Sequence, residues 1–199
     1  MLTCVKPDEV GWFKTRYKIA AGLTMGLLAV SILLFAMSLN GCLSSNQGFR
    51  QAILAGDQTK IRALLAEGVN LEETDEEGIT PLLLAIKQGR RDVVELLLNH
   101  GADIHHAGND GVTPLFLAIR ERRSDLVALL LDKGADVNER GAISGVTPLH
   151  VGAYAGDPEI LRLLLRHGAN KHARMTSGEL PVDLVRPFGK TELIELLKP

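Results

Sequence analysis

Residues 80–102 read TPLLLAIKQGRRDVVELLLNHGA. The same pattern of apolar residues, proline and terminal Gly-Ala returns at residues 113–135 and 147–169, and a partial copy begins with Leu-Pro-Val at 180–182. The copies start 33 or 34 residues apart. A period of this length predicts a solenoid of stacked supersecondary units. Solenoids present extended surfaces and rarely a catalytic pocket.

Each copy contains the local signals of two helices. The threonine before each proline is suited to cap the first helix, because its side chain accepts a backbone hydrogen bond and proline needs no donor at the first helical position. These threonines are Thr80, Thr113 and Thr147. A glycine after the second helix fits the left-handed conformation that ends helices. These glycines are Gly101, Gly134 and Gly168. The leucines expected to be buried between repeats are Leu97, Leu130 and Leu164.

The wording of two segments resembles the ankyrin repeat family. Residues 145–150 read GVTPLH and residues 129–138 read LLLDKGADVN, and the resemblance extends over about residues 47–199. It implies an all-α solenoid of helix pairs joined by short β-hairpin loops. The implied units are a first capping repeat at 48–79, full repeats at 80–112, 113–146 and 147–179, and a final cap at 180–199.

The repeats depart from the family pattern at two positions. The family places a histidine three residues after the threonine, where it braces the turn, and here only His150 stands at that position. Leu83 and Phe116 replace it in the other full repeats, so we expect the brace to be absent there. Arg122 occupies the place of the glycine between the two helices, so we expect backbone strain or a changed turn at that residue.

The amino-terminal residues are of a different kind. Basic residues precede an apolar run at 19–37, and Leu39-Asn40-Gly41-Cys42 follows. This order is typical of a secretory signal, and its end resembles the lipobox of bacterial lipoproteins. The resemblance implies that residues 1–41 are removed, that Cys42 is lipidated, and that 42–47 form a linker. The alternative is a permanent membrane-spanning anchor, since nineteen mostly apolar residues can cross a bilayer.

Both alternatives place the repeats on the same side of the membrane, because the basic residues precede the apolar run. We therefore predict periplasmic repeats in a bacterial envelope. Leu43, after the lipidated cysteine, favours the outer membrane by the family's sorting rule, with an inner-membrane anchor as the alternative. The two cysteines, Cys4 and Cys42, both lie outside the repeats, so no disulfide framework is expected.

The net charge and the motifs of the sequence limit the classes of partner that we expect. Without residues 1–41, four of 22 basic and two of 24 acidic residues are lost, and the net charge becomes −4. Nucleic-acid binding needs a basic stripe and is not expected. Phosphate-binding, nucleophile and metalloprotease motifs are absent from the sequence, so we predict no enzyme, no cofactor and no small-molecule substrate. We also predict that the chain is monomeric when alone.

Ankyrin proteins usually bind partners through the loop tips and the exposed face of the first helices. Carried over by position, the predicted partner-binding residues are Glu76, Glu77, Lys87, Gln88, Asn109, Asp110, Arg120, Glu121, Ile143, Ser144 and Tyr154. The function this favours is a scaffold or adaptor for a periplasmic protein. The alternatives are an inhibitor or immunity protein that occludes a periplasm-targeted toxin such as a secreted lipase, and an enzyme with an unrecognised site.

The histidines suggest a metal site, but their positions within the repeats argue against one. His100 and His167 share one repeat position but are two repeats apart, with Lys133 between them. Packed helix layers are about 8–10 Å apart, so these two side chains cannot share an ion. His105 and His172 stand where Asn138 occupies the intervening loop, a position at which the family's asparagine braces the loop. The sequence therefore predicts structural or solvated histidines and no metal site.

Overall fold

The computed structural model describes residues 46–141, 144–185 and 191–198. The predicted signal segment, Cys42 and Ile143 lie outside these ranges. The helices are α1 at 46–55, α2 Gln58–Ala66, α3 Pro81–Lys87, α4 Arg91–Asn99, α5 Pro114–Arg120, α6 Ser124–Asp132, α7 Pro148–Ala155, α8 Pro158–Arg166, α9 Pro181–Val185 and α10 Thr191–Leu197. Helix α1 already includes residues 46 and 47, which the sequence assigns to the linker. Among the helices of the described ranges, none has the length and apolar character needed to cross a bilayer.

The predicted helix boundaries are confirmed at both ends of the repeat. The hydroxyl oxygen of Thr80 accepts the backbone N–H of Leu83 at 3.2 Å, which caps α3. At the end of α4, Gly101 has φ of 90°. Its N–H donates to the carbonyl of Leu98, and the N–H of Ala102 donates to that of Leu97, each at 3.1 Å. This pair of bonds satisfies carbonyls that the helix leaves unpaired, which explains why Gly-Ala recurs in every full copy.

The core is built by stacking of like helices. Helices α3, α5, α7 and α9 contact one another in sequence, α4, α6 and α8 form a second row, and each first helix packs on its own second helix. Leu97, Leu130 and Leu164 are fully buried, as predicted. Ala85 and Ala118 are also fully buried, which allows the first helices to approach closely. All these residues lie in the unit Phe49–Pro199.

The loops between repeats are turns and not β-hairpins, so this part of the predicted fold is corrected. No β-strand occurs in the ranges that the structure describes. Each loop is closed by a backbone bond such as Gly108 N–H to Val112 O at 3.1 Å. The equivalent bond joins Gly141 to Val146 in the third full loop, which is one residue longer, as the sequence indicates. The two sides of each loop diverge after this one backbone hydrogen bond, so they do not continue as paired strands.

Arg122 adopts the backbone conformation of the glycine it replaces. Its φ of 55° is the one positive value among non-glycine residues in the described part of the chain, and it costs about 1–2 kcal/mol for an L-residue. Its guanidinium group donates to the carbonyl of Ala155 in the next repeat. Arg123 similarly reaches back to the carbonyl of Gly89 at 2.9 Å. The predicted strain is confirmed, and arginines at this turn tie adjacent repeats together.

Candidate partner-binding surface

The loop tips stand where the register predicts them. Glu76 and Glu77 form the turn of the first loop, and Asn109 and Asp110 form the turn of the second. Part of this surface is occupied by contacts between loops. The side-chain amide of Asn109 donates to the carbonyl of Glu76 at 3.4 Å, and Ser144 accepts the backbone N–H of Thr176 at 3.0 Å. Glu76 and Glu77 are exposed to solvent and carry the negative charge of the first tip.

The exposed faces of the first helices present one residue per repeat at an equivalent register. This row consists of Leu54, Lys87, Arg120 and Tyr154. The side chain of Tyr154 is 70% exposed and that of Leu54 is 47% exposed, and these are the two large exposed hydrophobic residues in the described ranges. Both therefore occupy the same repeat position. The row is apolar at its ends and basic at its centre.

Two adjoining depressions connect this row with the loop tips. One has a volume of about 570 Å³ and lies between the first and second tips. The other has a volume of about 350 Å³ and lies between the second and third loops. They share Asn109, Asp110, Val112 and Arg120, so they form one continuous groove. The apolar floor of the first depression is made by Ile79, Leu83, Val112 and Leu117. That of the second is made by Val112, Phe116, Val146 and Val151.

The groove brings together most, but not all, of the residues singled out from the sequence. The predicted residues that line it are Glu76, Glu77, Lys87, Asn109, Asp110, Arg120 and Ser144. Gln88, Glu121 and Tyr154 are outside its lining, and Ile143 is outside the described residues. Sequence reasoning missed Leu54 and the apolar floor. The signal for the floor was an apolar residue directly before each threonine, seen at Ile79, Val112 and Val146.

His150 is a structural histidine that links the start of α7 to the end of the loop before the final cap. Its Nδ1 accepts the backbone N–H of Thr147 at 3.2 Å and lies 2.9 Å from the threonine hydroxyl. The ring proton is then on Nε2, which donates to the carbonyl of Glu179 at 3.3 Å. Burial lowers the pKa of His150 below its ordinary value of 6.5, although the bond to Glu179 opposes the shift. The predicted brace at this position is confirmed.

Replacing His150 with Leu is expected to lower the free energy of unfolding and to make that free energy less dependent on pH. The folded protein disfavours protonated His150, so the unfolded state binds more protons and stability falls as the pH drops below about 6.5. His150→Leu copies the residue at Leu83 and removes this sensitivity. At pH 7.5 the variant should lose about 1–2 kcal/mol of stability, because a capping bond and the bond to the Glu179 carbonyl disappear. Denaturant unfolding at pH 7.5 and 5.5 measures both effects, and equal pH slopes for the two proteins would contradict this account.

The second full repeat replaces the missing brace with a residue from the following loop. The hydroxyl of Thr113 donates to the carboxylate of Glu139, and its oxygen accepts the N–H of Phe116 at 3.4 Å. Burial raises the pKa of Glu139, while the Thr113 bond opposes the rise. The local histidine brace is absent from this repeat, as expected, because Phe116 stands at its position. A side chain 26 residues later supplies a partner for the threonine.

Three acidic residues at the starts of the second helices and His100 serve local structure. Asp92, Asp125 and Glu159 lie in the first turns of the second helices, where an acidic side chain interacts favourably with the helix dipole. The guanidinium of Arg123 lies 3.1 Å from the carboxylate of Asp125, and this hydrogen bond lowers the pKa of Asp125. The Nδ1 of His100 lies 2.8 Å from the carbonyl of Leu96 in its own helix. These contacts account for the positions of the Asp125 and His100 side chains.

Comparisons with known proteins agree with the repeat architecture. Residues 49–141 match the family model described as ankyrin repeats (3 copies), and residues 140–185 match ankyrin repeats (many copies). Protein phosphatase 1 regulatory subunit 27 of Homo sapiens is 46% identical over 55 residues, and that of Mus musculus is 44% identical over 55 residues. These alignments cover 28% of this chain and 35% of each relative. The match thus spans about a third of the length of these relatives.

Proposed function

This chain belongs to the ankyrin repeat family, and we propose that it is a non-catalytic scaffold in a bacterial cell envelope that binds a periplasmic protein. Membership of the family makes it a protein–protein interaction module. The relatives described above are named as regulatory subunits, which fits a binding role in place of a catalytic one. The envelope and the identity of the partner are the proposed parts.

The observation that carries the binding role is the row of Leu54, Lys87, Arg120 and Tyr154 beside the groove. Two large apolar side chains remain in water at one repeat position. Aromatic and apolar anchors that are exposed in the free protein become buried at interfaces and contribute much of the binding energy. The basic residues between them add charge complementarity and orientation. The surface therefore suits a protein that presents apolar anchors on either side of acidic residues.

The proposed tether rests on the amino-terminal sequence. Lys14, Arg16 and Lys18 precede the apolar run, and the segment ends in Leu39-Asn40-Gly41-Cys42. Several acyl chains on one cysteine would hold the protein firmly at a membrane, whereas a single chain binds only marginally. The repeats begin within a few residues of Cys42, so a lipidated chain would hold its partner close to the membrane surface.

Replacing Cys42 with Ser is expected to abolish lipidation and leave the amino-terminal segment uncleaved. The physical reason is that the hydroxyl of serine cannot form the thioether. Mass spectrometry of the amino-terminal peptide and fractionation of membranes measure the outcome. Cys42 without a modification in the wild-type protein would overturn the lipoprotein proposal and favour the permanent anchor. Cys4→Ser is the matched control, because Cys4 lies within the segment that is removed.

A second function is an inhibitor that occludes a periplasm-targeted toxin, such as a secreted lipase. The groove between tips and helices favours it equally, since occlusion needs only a complementary surface. Cross-linking in intact cells, followed by purification of the complex, separates the two. An isolated partner that keeps its own activity when saturated with the repeat protein supports the scaffold. A partner that loses its activity supports the inhibitor, and a chain that cross-links to no protein overturns both.

A further inference from the structure

Three ligand-bearing side chains converge where the first loop meets the second. The carboxylates of Glu72 and Asp103 and the imidazole of His106 each offer one atom, and these atoms lie within 4.8 Å of one another. We propose that Glu72, Asp103 and His106 form a binding site for a zinc ion at this junction. The site is separate from the partner-binding groove, and the proposal does not depend on the proposed function.

The backbone on both sides of the cluster is held in place by hydrogen bonds. The N–H of Glu72 donates to the Asn70 side chain at 3.0 Å, and the N–H of His105 donates to the Asp103 side chain at 2.9 Å. Glu72 Oε1 also accepts the N–H of Asp103 at 2.8 Å, which joins the two loops. Glu72 Oε2 lies 3.0 Å from Nδ1 of His106. The three side chains are thus set close together by the fold before any ion binds.

The chemistry of the cluster favours a divalent cation. Two carboxylates in a small volume repel each other, and a cation between them removes that cost. Four more carboxylates occur in the same loop at residues 73, 75, 76 and 77. Asp75 is paired with Arg50, and the other three make the local potential negative. Imidazole together with carboxylate oxygens suits zinc, whereas all-oxygen sites suit calcium or magnesium. Zinc holds such ligands at about 2.0–2.2 Å, so small side-chain rotations would complete the site and leave a position for water.

The other loop junctions provide an internal comparison. At the second junction the equivalent residues are His105, Asp136 and Glu139, but the carboxylate of Glu139 is bonded to the hydroxyl of Thr113. At the third junction the equivalents of Glu72 and His106 are Asn138 and Ala173. Among the residues that the structure describes, only the first junction brings three ligand atoms together. The sequence argument against metal binding concerned pairs of histidines, and this site uses one.

The test is zinc titration of the untagged full chain in detergent, with both cysteines replaced (Cys4→Ser and Cys42→Ser) because thiolates also bind zinc. Isothermal titration with zinc chloride is expected to give one site per chain, and the melting temperature should rise with zinc. His106→Ala and Glu72→Gln should each weaken binding at least about ten-fold, since even outer-shell changes at zinc sites cost 10–100-fold. His105→Ala, the neighbouring histidine of the same loop, should leave the affinity unchanged.

Several results would overturn the proposal. One is the absence of zinc binding, and another is an equal loss of zinc affinity in His105→Ala and His106→Ala. A third is a calcium affinity that equals the zinc affinity and is unchanged in His106→Ala. Circular dichroism verifies that each variant is folded. If Glu72→Gln unfolds the first loop, His106→Ala alone decides the matter, because His106 is half-exposed and makes its pair with Glu72 through the side chain only.

Discussion

Replacing Leu130 with Ala is expected to lower the free energy of unfolding by about 2–5 kcal/mol, the range for a buried leucine that leaves a cavity. Leu130 is fully buried in α6. That helix packs against α4 on one side and α8 on the other. The truncation therefore leaves a cavity in a helix that packs between two neighbouring repeats. Denaturant unfolding followed by circular dichroism measures the loss.

The repeat architecture also determines how far the loss spreads. Each repeat is stabilised by its neighbours, so hydrogen exchange should accelerate in α4 and α8 as well as in α6. Leu54→Ala is the matched control, because it makes the same chemical change at a residue that is 47% exposed. It should change stability by less than about 0.5 kcal/mol. Equal losses in the two variants, or faster exchange confined to α6, would contradict this description of the core.

The parts of the fold that the sequence predicted are those governed by local rules. Capping by Thr80, the left-handed conformation of Gly101 and the strained backbone of Arg122 each depend on a few neighbouring residues. Burial of Leu130 follows from helical spacing within a single copy. Such features recur at the same position of each repeat, so an ambiguous signal in one copy is resolved by the equivalent residues of the other copies.

The features that escaped prediction depend on side chains about one repeat apart. The bond from Thr113 to Glu139 joins residues 26 positions apart. The approach of His106 to Glu72 likewise joins neighbouring loops. Each requires a particular rotamer and a particular stagger between loops, and neither is fixed by the local pattern. The apolar floor of the groove was missed for the same reason, since Val112 and Val151 come from different repeats.

Replacing Tyr154 with Ala is expected to weaken partner binding by about 2 kcal/mol or more, which is at least about thirty-fold in affinity. Its ring is 70% exposed in the free chain. Few of its atoms contribute to the fold, so the loss of the ring acts on binding and not on stability. The sequence places Ile143 on the same binding face, so replacing Ile143 and Tyr154 together with Ala should also weaken binding, although Ile143 lies outside the described ranges. Affinity for the isolated partner, measured by titration, checks the result.

The row of equivalent positions makes this prediction specific to one face of the solenoid. If the partner lies along the row, Leu54→Ala should also weaken binding, since Leu54 occupies the same register at the other end of it. The control is the pair Arg162→Ala and Arg166→Ala in α8, a second helix. Arg162 pairs with Glu192 there at an exposed site, and such pairs contribute little to stability. If the arginine pair loses the partner while the Tyr154 and Leu54 variants retain it, the binding face is the second-helix side, and the row and groove are ordinary solvated surface.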